Sequence, residues 1–245
     1  MISIHSFAFL PGSLQKPTLE AIKGGTMLSI ATILLTVVLE LASLPSVRGV
    51  LKQPDGPSLY LQAIALNFRN HFVFGIPVYA IAGGPLLCHA QAAENPVIFA
   101  MRAAGLMGVH AILYFSIHKA FHASPQLYVY HRFHHRFNTH VTPVVANAVT
   151  MVEYLLAYII PFAVGVVVVN PHETELRCVV AVVSLCNLLI HTPRLEALSE
   201  NLSPVFVTTH GHIEHHKRLN TNYAAPTLNV DWILVQLQLV FKKTS

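Results

Sequence analysis

Charge is scarce in this sequence: Asp, Glu, Lys and Arg make up 11% of its 245 residues. A soluble domain carries roughly a quarter charged residues, so this chain has too few to face water on every side. Cysteine occurs three times, at Cys88, Cys178 and Cys186, without a C-x-x-C pair. That spacing argues against a disulfide framework, and the three read as packing residues in apolar stretches. No run of Lys or Arg is long enough for nucleic acid, and the formal charge is only +4. No G-x-G-x-x-G follows a strand and no H-E-x-x-H occurs, which leaves a dinucleotide site and a zinc metalloprotease without support. The N-terminal stretch has no charged n-region, and Pro11 and Gly12 break its apolar run, so it reads as a poor signal peptide.

What the chain has instead is apolar length. Hydrophobic residues make up 53%, and the mean hydropathy is +0.54. Stretches near the length of a bilayer crossing run over 26–44, 72–87, 97–117 and 151–169, with a shorter one at 176–190. A full crossing takes about 20 helical residues, so the second and fifth are marginal. The spacing predicts an all-α integral membrane protein of four to five transmembrane or re-entrant helices with a His-rich helical cap. Residues 1–96 hold one or two spans, and 97–245 hold the rest. Pro161 is expected to kink its helix. Glu40, Arg102 and His110 fall within spans and should face protein or an interface.

Only six residues, "NPHETE", join the last two stretches. A hairpin that short returns the chain to the side it left, so the segment 118–150 and the segment from His191 onward share one face. Both are rich in Lys and Arg, while the hairpin tip carries Glu173 and Glu175; positive loops stay cytosolic. Histidine collects on that face. "HKAFH" places His118 and His122 at i and i+4, one turn apart on a helix. "HRFHH" and "HIEHH" place His131, His134, His135 and His212, His215, His216 at i, i+3 and i+4, again one helical stripe. Eight aligned imidazoles are more than one metal ion needs and about right for two. Imidazole suits iron, zinc, copper and nickel alike. His5, His71, His89, His110 and His172 stand alone and read as ordinary interface residues.

The order H-x3-H, then H-x2-H-H after the gap "ASPQLYVY", then a distant H-x2-H-H resembles the fatty acid hydroxylase and sterol desaturase superfamily. "NTNYAAP" is similar to that family's N-Y-G signature at Asn222–Tyr223, with Ala224 for the glycine and Asp231 following as its acid does. The resemblance covers roughly His118 to Asp231. It implies a membrane-embedded non-haem di-iron monooxygenase, using two iron ions and dioxygen as co-substrate to hydroxylate, oxidise or desaturate a sterol or fatty acyl lipid. It makes His118, His122, His131, His134, His135, His212, His215 and His216 metal ligands and adds His191 as a ninth. Where members often carry a histidine three residues before a glutamate, this chain has Thr150, and His140 or His210 is the candidate substitute. Glu153, Glu214, Asn222 and Asp231 are candidates to orient ligating imidazoles; Glu214 points off the ligand stripe and is not itself a ligand. Electrons are expected from a b-type cytochrome with its NAD(P)H-dependent reductase. The ending "KKTS" puts Lys242 and Lys243 where an endoplasmic-reticulum retrieval signal stands. A His-rich metal transporter and a catalytically inactive relative remain the alternatives.

Overall fold

The computed structural model describes residues 12–80, 92 and 95–244, and every regular element among them is a helix. The one extended contact among these residues is an isolated antiparallel bridge between Phe206 and Leu228. The chain opens with α1 (Gly12–Ala42), turns at Ser43 into α2 (Leu44–Leu51), and continues into α3 (Gly56–Arg69). A π-helical turn, Asn70–Gly75, leads into α4 (Ile76–Val78). The long helix α5 (Pro96–Ala123) starts on Asn95, whose side chain accepts from the Val97 amide, and is followed by α6 (Pro125–His131). Two 3-10 turns, His134–Phe137 and Pro143–Asn147, precede α7 (Met151–Glu153). A second π-helical turn, Tyr154–Ile159, joins α7 to α8 (Ile160–Val169). Then come α9 (Glu173–Ile190), α10 (Glu196–Ser199), α11 (Thr209–Arg218) and α12 (Val230–Thr244).

Three helical stretches are long and apolar enough to cross a membrane: Leu19–Ala42, Pro96–Ala123 and Met151–Val169. A fourth is α9 taken with Pro193–Ser199, bent by 86° at the break. The protein is a multi-pass membrane protein. The expected stretch 72–87 differs most: its first part belongs to the π-helical turn and α4, and its remainder lies outside the described residues, as do His5, His89 and Cys88. Sequence reading also passed over α2 and α3, whose apolar content is too low to stand out. Cys178 is exposed on α9, so it is not the packing residue expected; Cys186 is half-buried.

Both π-helical turns end two residues before a proline, Pro77 and Pro161. Proline lacks the N–H that bonds four residues back, and its ring presses on that carbonyl. Widening the preceding turn accommodates both effects, so the expected kink at Pro161 is a π turn. Asn170, in the left-handed region at φ 50°, ends α8, and His172 caps α9, with its ring accepting from the Thr174 amide. The hairpin so formed returns the chain to the end where α5 finishes. Charged side chains within the spans find protein partners: Arg102 lies 3.6 Å from the fully buried Glu175, and Glu40 accepts from the Tyr60 hydroxyl at 2.7 Å. His110 is buried with its ring 4.4 Å from that of Phe162.

Helices α5 and α8 approach closely at Gly165, where an added Cβ would stand 2.6 Å from the buried Leu106 side chain. Gly165→Leu is expected to overpack this contact and destabilise the bundle by about 1–3 kcal/mol. A lowered thermal midpoint in detergent checks it; an unchanged midpoint would mean the helices separate freely here.

Candidate metal centre

The C-terminal end of α5 supplies His118 and His122, one turn apart. Five imidazoles gather there: His118, His122, His131, His135 and His215, with one ring nitrogen from each lying within 4.8 Å of all the others. His134, His191, His212 and His216 form a second group on the same criterion. The nine are the histidines that the sequence and the resemblance single out. The two groups adjoin, with the rings of His135 and His216 4.7 Å apart.

The H-x-x-H-H blocks do not each aim one way, as a single helical stripe predicts. In the first block His131 and His135 enter the five-membered group while His134 turns to the other. The second block does the reverse: His212 and His216 enter the four-membered group, and His215 crosses to the first. In both, the i and i+4 residues stay together and the i+3 residue leaves. The first block is not one regular helix, because α6 ends at His131 and a 3-10 turn begins at His134. Thus each block ties the two groups together.

Backbone carbonyls decide which ring nitrogen is free. His118 Nδ1 lies 2.7 Å from the Tyr223 carbonyl, His215 Nδ1 2.7 Å from that of Thr221, His191 Nδ1 2.7 Å from that of Asn187, and His134 Nδ1 3.1 Å from that of Val145. A carbonyl only accepts, so each Nδ1 carries the hydrogen and each Nε2 presents a lone pair. Those Nε2 atoms converge: His118 to His131 is 3.0 Å, His118 to His215 is 3.1 Å, and His191 to His134 is 3.3 Å. His135 to His131 is 2.8 Å, and His212 to His191 is 3.0 Å. Lone pairs at such separations repel unless a cation lies between them. A metal–imidazole bond of about 2.1 Å with neighbouring ligands at right angles spaces their nitrogens by about 3.0 Å. His216 is fully buried with neither ring nitrogen partnered by protein, which an ion at one of them resolves. Both groups can hold a metal ion.

Burial pushes the imidazoles of His131, His134, His135, His212 and His216 well below their ordinary range, and His215 down to about 4. All six are neutral near pH 7, the form that binds metal.

Four candidates were expected to orient ligating rings. Glu153 contacts a grouped ring directly, its Oε1 lying 2.6 Å from His131 Nδ1 with both side chains buried. Asn222 and Asp231 act on the backbone instead. Asn222, at φ 53°, donates to the Gly211 carbonyl in α11, and Asp231 accepts from the Ala224 amide at 2.6 Å. Together they hold the loop whose Thr221 and Tyr223 carbonyls receive His215 and His118. Thr150 caps α7 by accepting from the Glu153 amide at 3.2 Å. His140 stands against Gly49 in α2, and the exposed His210 pairs with Glu196 at 2.8 Å; neither reaches a group. Glu214 pairs with Lys217 and Arg218, off the ligand stripe. His71, His110 and His172 also lie outside both groups.

A sequence reading missed the wall behind the second group. Residues 144–149 run between spans, and polar side chains hold them by their backbone. Glu40 of α1 accepts from the Val144 amide at 2.6 Å, and Asn67 of α3 donates to the Val144 carbonyl at 3.0 Å. Asn187 and Tyr158 both donate to the Ala146 carbonyl, at 2.9 and 2.7 Å, and Asn70 donates to those of Asn147 and Val149. Asparagines in apolar helices were the available signal.

A family model described as fatty acid hydroxylase matches residues 103–235, more than half of the 245. The chain belongs to the fatty acid hydroxylase family. Neither the curated proteins nor the solved structures contain a match to it. The family match takes in all nine grouped histidines and Glu153.

Two outcomes are expected. Glu153→Ala removes the partner of His131 and should weaken metal retention about 10–100-fold, read by titration with a chelator. Acid should also loosen the centre. The grouped histidines have folded-state pKa values below the unfolded 6.5, so between them the unfolded chain binds more protons and stability falls with falling pH. The thermal midpoint should hold above pH 6.5, drop from there to pH 4, where His215 begins to protonate in the folded chain, and keep dropping below it. A midpoint that rises on acidification would contradict the neutral assignment.

Proposed function

We propose that this member of the fatty acid hydroxylase family is a non-haem di-iron monooxygenase that hydroxylates, oxidises or desaturates a sterol or fatty acyl lipid of the membrane. The observation that carries the reading is the convergence of nine Nε2-bearing rings into two adjoining groups inside a family-matched membrane protein. His118, His122, His131, His135 and His215 hold one iron, and His134, His191, His212 and His216 the other. Bound iron supplies the redox chemistry that activates dioxygen, which side chains alone do not offer. The chain's own contribution is to keep the rings neutral, fix their tautomers through carbonyls and Glu153, and surround them with apolar side chains that exclude water. Tyr114 and Phe121 of α5, both buried, pack against the ring of His118 or His131. Residues 97–245 form the catalytic unit on this reading, and residues 1–96 brace it.

The excess of Lys and Arg beside the histidine segments supports a cytosolic face for the centre, and the endoplasmic reticulum is the membrane we assign to it. Electrons then come from a b-type cytochrome and its NAD(P)H-dependent reductase. A metal transporter would string its ligands along a path through the spans. Two closed, buried groups at one end of the bundle favour the enzyme.

Protein reconstituted with lipid, an electron donor and ¹⁸O₂ tests the reading. Incorporation of ¹⁸O into a lipid or, for desaturation, a new double bond is expected, and His215→Ala should abolish either product. A fully metal-loaded preparation that leaves every sterol and acyl lipid unchanged would overturn it.

A further inference from the structure

A cavity of about 140 Å³ lies among α1, the π-helical turn after α3, α8 and α9. It is separate from the two histidine groups, and its walls are mostly apolar, including Leu28, Phe162, Val166 and Leu176. One end differs. Asn147 lines it, is 5% exposed, and its side-chain Nδ2 has no protein partner. His71 lines it too, and its buried Nε2 is likewise without a partner. Asn70, next to His71, donates to the Asn147 carbonyl at 2.9 Å, which ties the two segments together beside the cavity. No Asp, Glu, Lys or Arg is among the described lining residues.

A buried polar atom without a partner costs a few kcal/mol in an apolar setting, so two of them in one greasy cavity point to something that hydrogen-bonds there. A single hydroxyl or carbonyl oxygen accepts from Asn147 Nδ2, and a hydroxyl also meets the demand of His71 Nε2 in either tautomer. A carboxylate or phosphate would enter without a countercharge, at a far larger cost. A cavity of this size takes about a six-carbon ring. Leu28, Ile159 and Val180 remain half-buried along it, so a longer chain passes out among membrane-facing side chains.

We propose that this cavity binds a neutral lipid by its single uncharged oxygen, held between Asn147 and His71, with the first carbons of the lipid lying against α8 and α9. The polar end is two residues from Val145, whose carbonyl receives His134, so the bound lipid abuts the support of the second histidine group. The inference rests on the lipid-oxygenase reading only in taking this lipid to be the one oxidised; binding itself needs no metal.

The test uses the full chain in nanodiscs and two photoreactive probes, a tetradecanol and a tetradecanoate, each with a diazirine about five carbons from its oxygen, within the cavity's reach. The alcohol is expected to label residues 159–180 about tenfold more than the carboxylate, given the cost of burying an unpaired charge. Asn147→Leu removes one neutral hydrogen bond and should cut labelling by the alcohol about fivefold. Ala163→Phe fills the apolar part without touching the polar end and should abolish labelling, so a folding defect in the first variant leaves the test intact. Equal labelling by alcohol and carboxylate, or labelling by the alcohol that survives Ala163→Phe in folded protein, would overturn the site. Loss of the site with ¹⁸O still incorporated into lipid would refute this inference alone, whereas selective binding without any turnover would refute the oxygenase reading and leave the site standing.

Discussion

Repulsion between imidazole lone pairs governs this structure. Four carbonyls hold the Nδ1 hydrogens of His118, His134, His191 and His215, and so turn the Nε2 lone pairs inward. Nitrogens 3.1–3.3 Å apart with no hydrogen between them are unfavourable in a buried, low-dielectric setting. The rest of the protein holds them there. Strain of that kind has one simple relief, a cation at each point of convergence, and the nitrogen separations suit the bond lengths of first-row transition metals.

What opposes the repulsion is backbone, fixed by side chains from distant parts of the chain. The loop after α11 is set by Asn222 and Asp231, and the segment at 144–149 by Glu40, Asn67, Asn70, Tyr158 and Asn187. Polar groups in apolar helices are costly unless paired, and here their partners include main-chain atoms of one segment between the spans. Glu40, Asn67 and Asn70 lie before the family match, yet they brace the carbonyl wall on which His134 depends. The membrane bundle thus serves as the outer frame of the metal centre.

Much of this was legible in the sequence because its signals are periodic. Apolar stretches placed the span at 151–169 to the residue and the start, though not the end, of the one at 96–123, and i, i+4 spacing brought His118 and His122 onto one face. His191 stood alone and came only through the resemblance; its place at the C-terminal end of α9 puts it beside His212. The split of the first H-x-x-H-H block between two groups was not legible, because it depends on where α6 ends and on the 3-10 turn that follows; in the second, on the regular helix α11, it depends on the groups standing on either side of the stripe. The carbonyl partners were invisible for a deeper reason: a main-chain oxygen is the same in every residue, so no letter marks it. Asn222 and Asp231 were chosen as orienting residues; they touch no grouped ring and instead shape the loop whose carbonyls receive His215 and His118. Thr150, noted as a missing histidine, is a helix cap that positions Glu153.

The most direct measurement is metal content per folded chain of detergent-purified protein, with its element resolved. Two adjoining groups of five and four imidazoles lead to about two irons per chain. Protein that is folded and monodisperse yet retains no metal on iron loading, or takes up only zinc, would contradict the account.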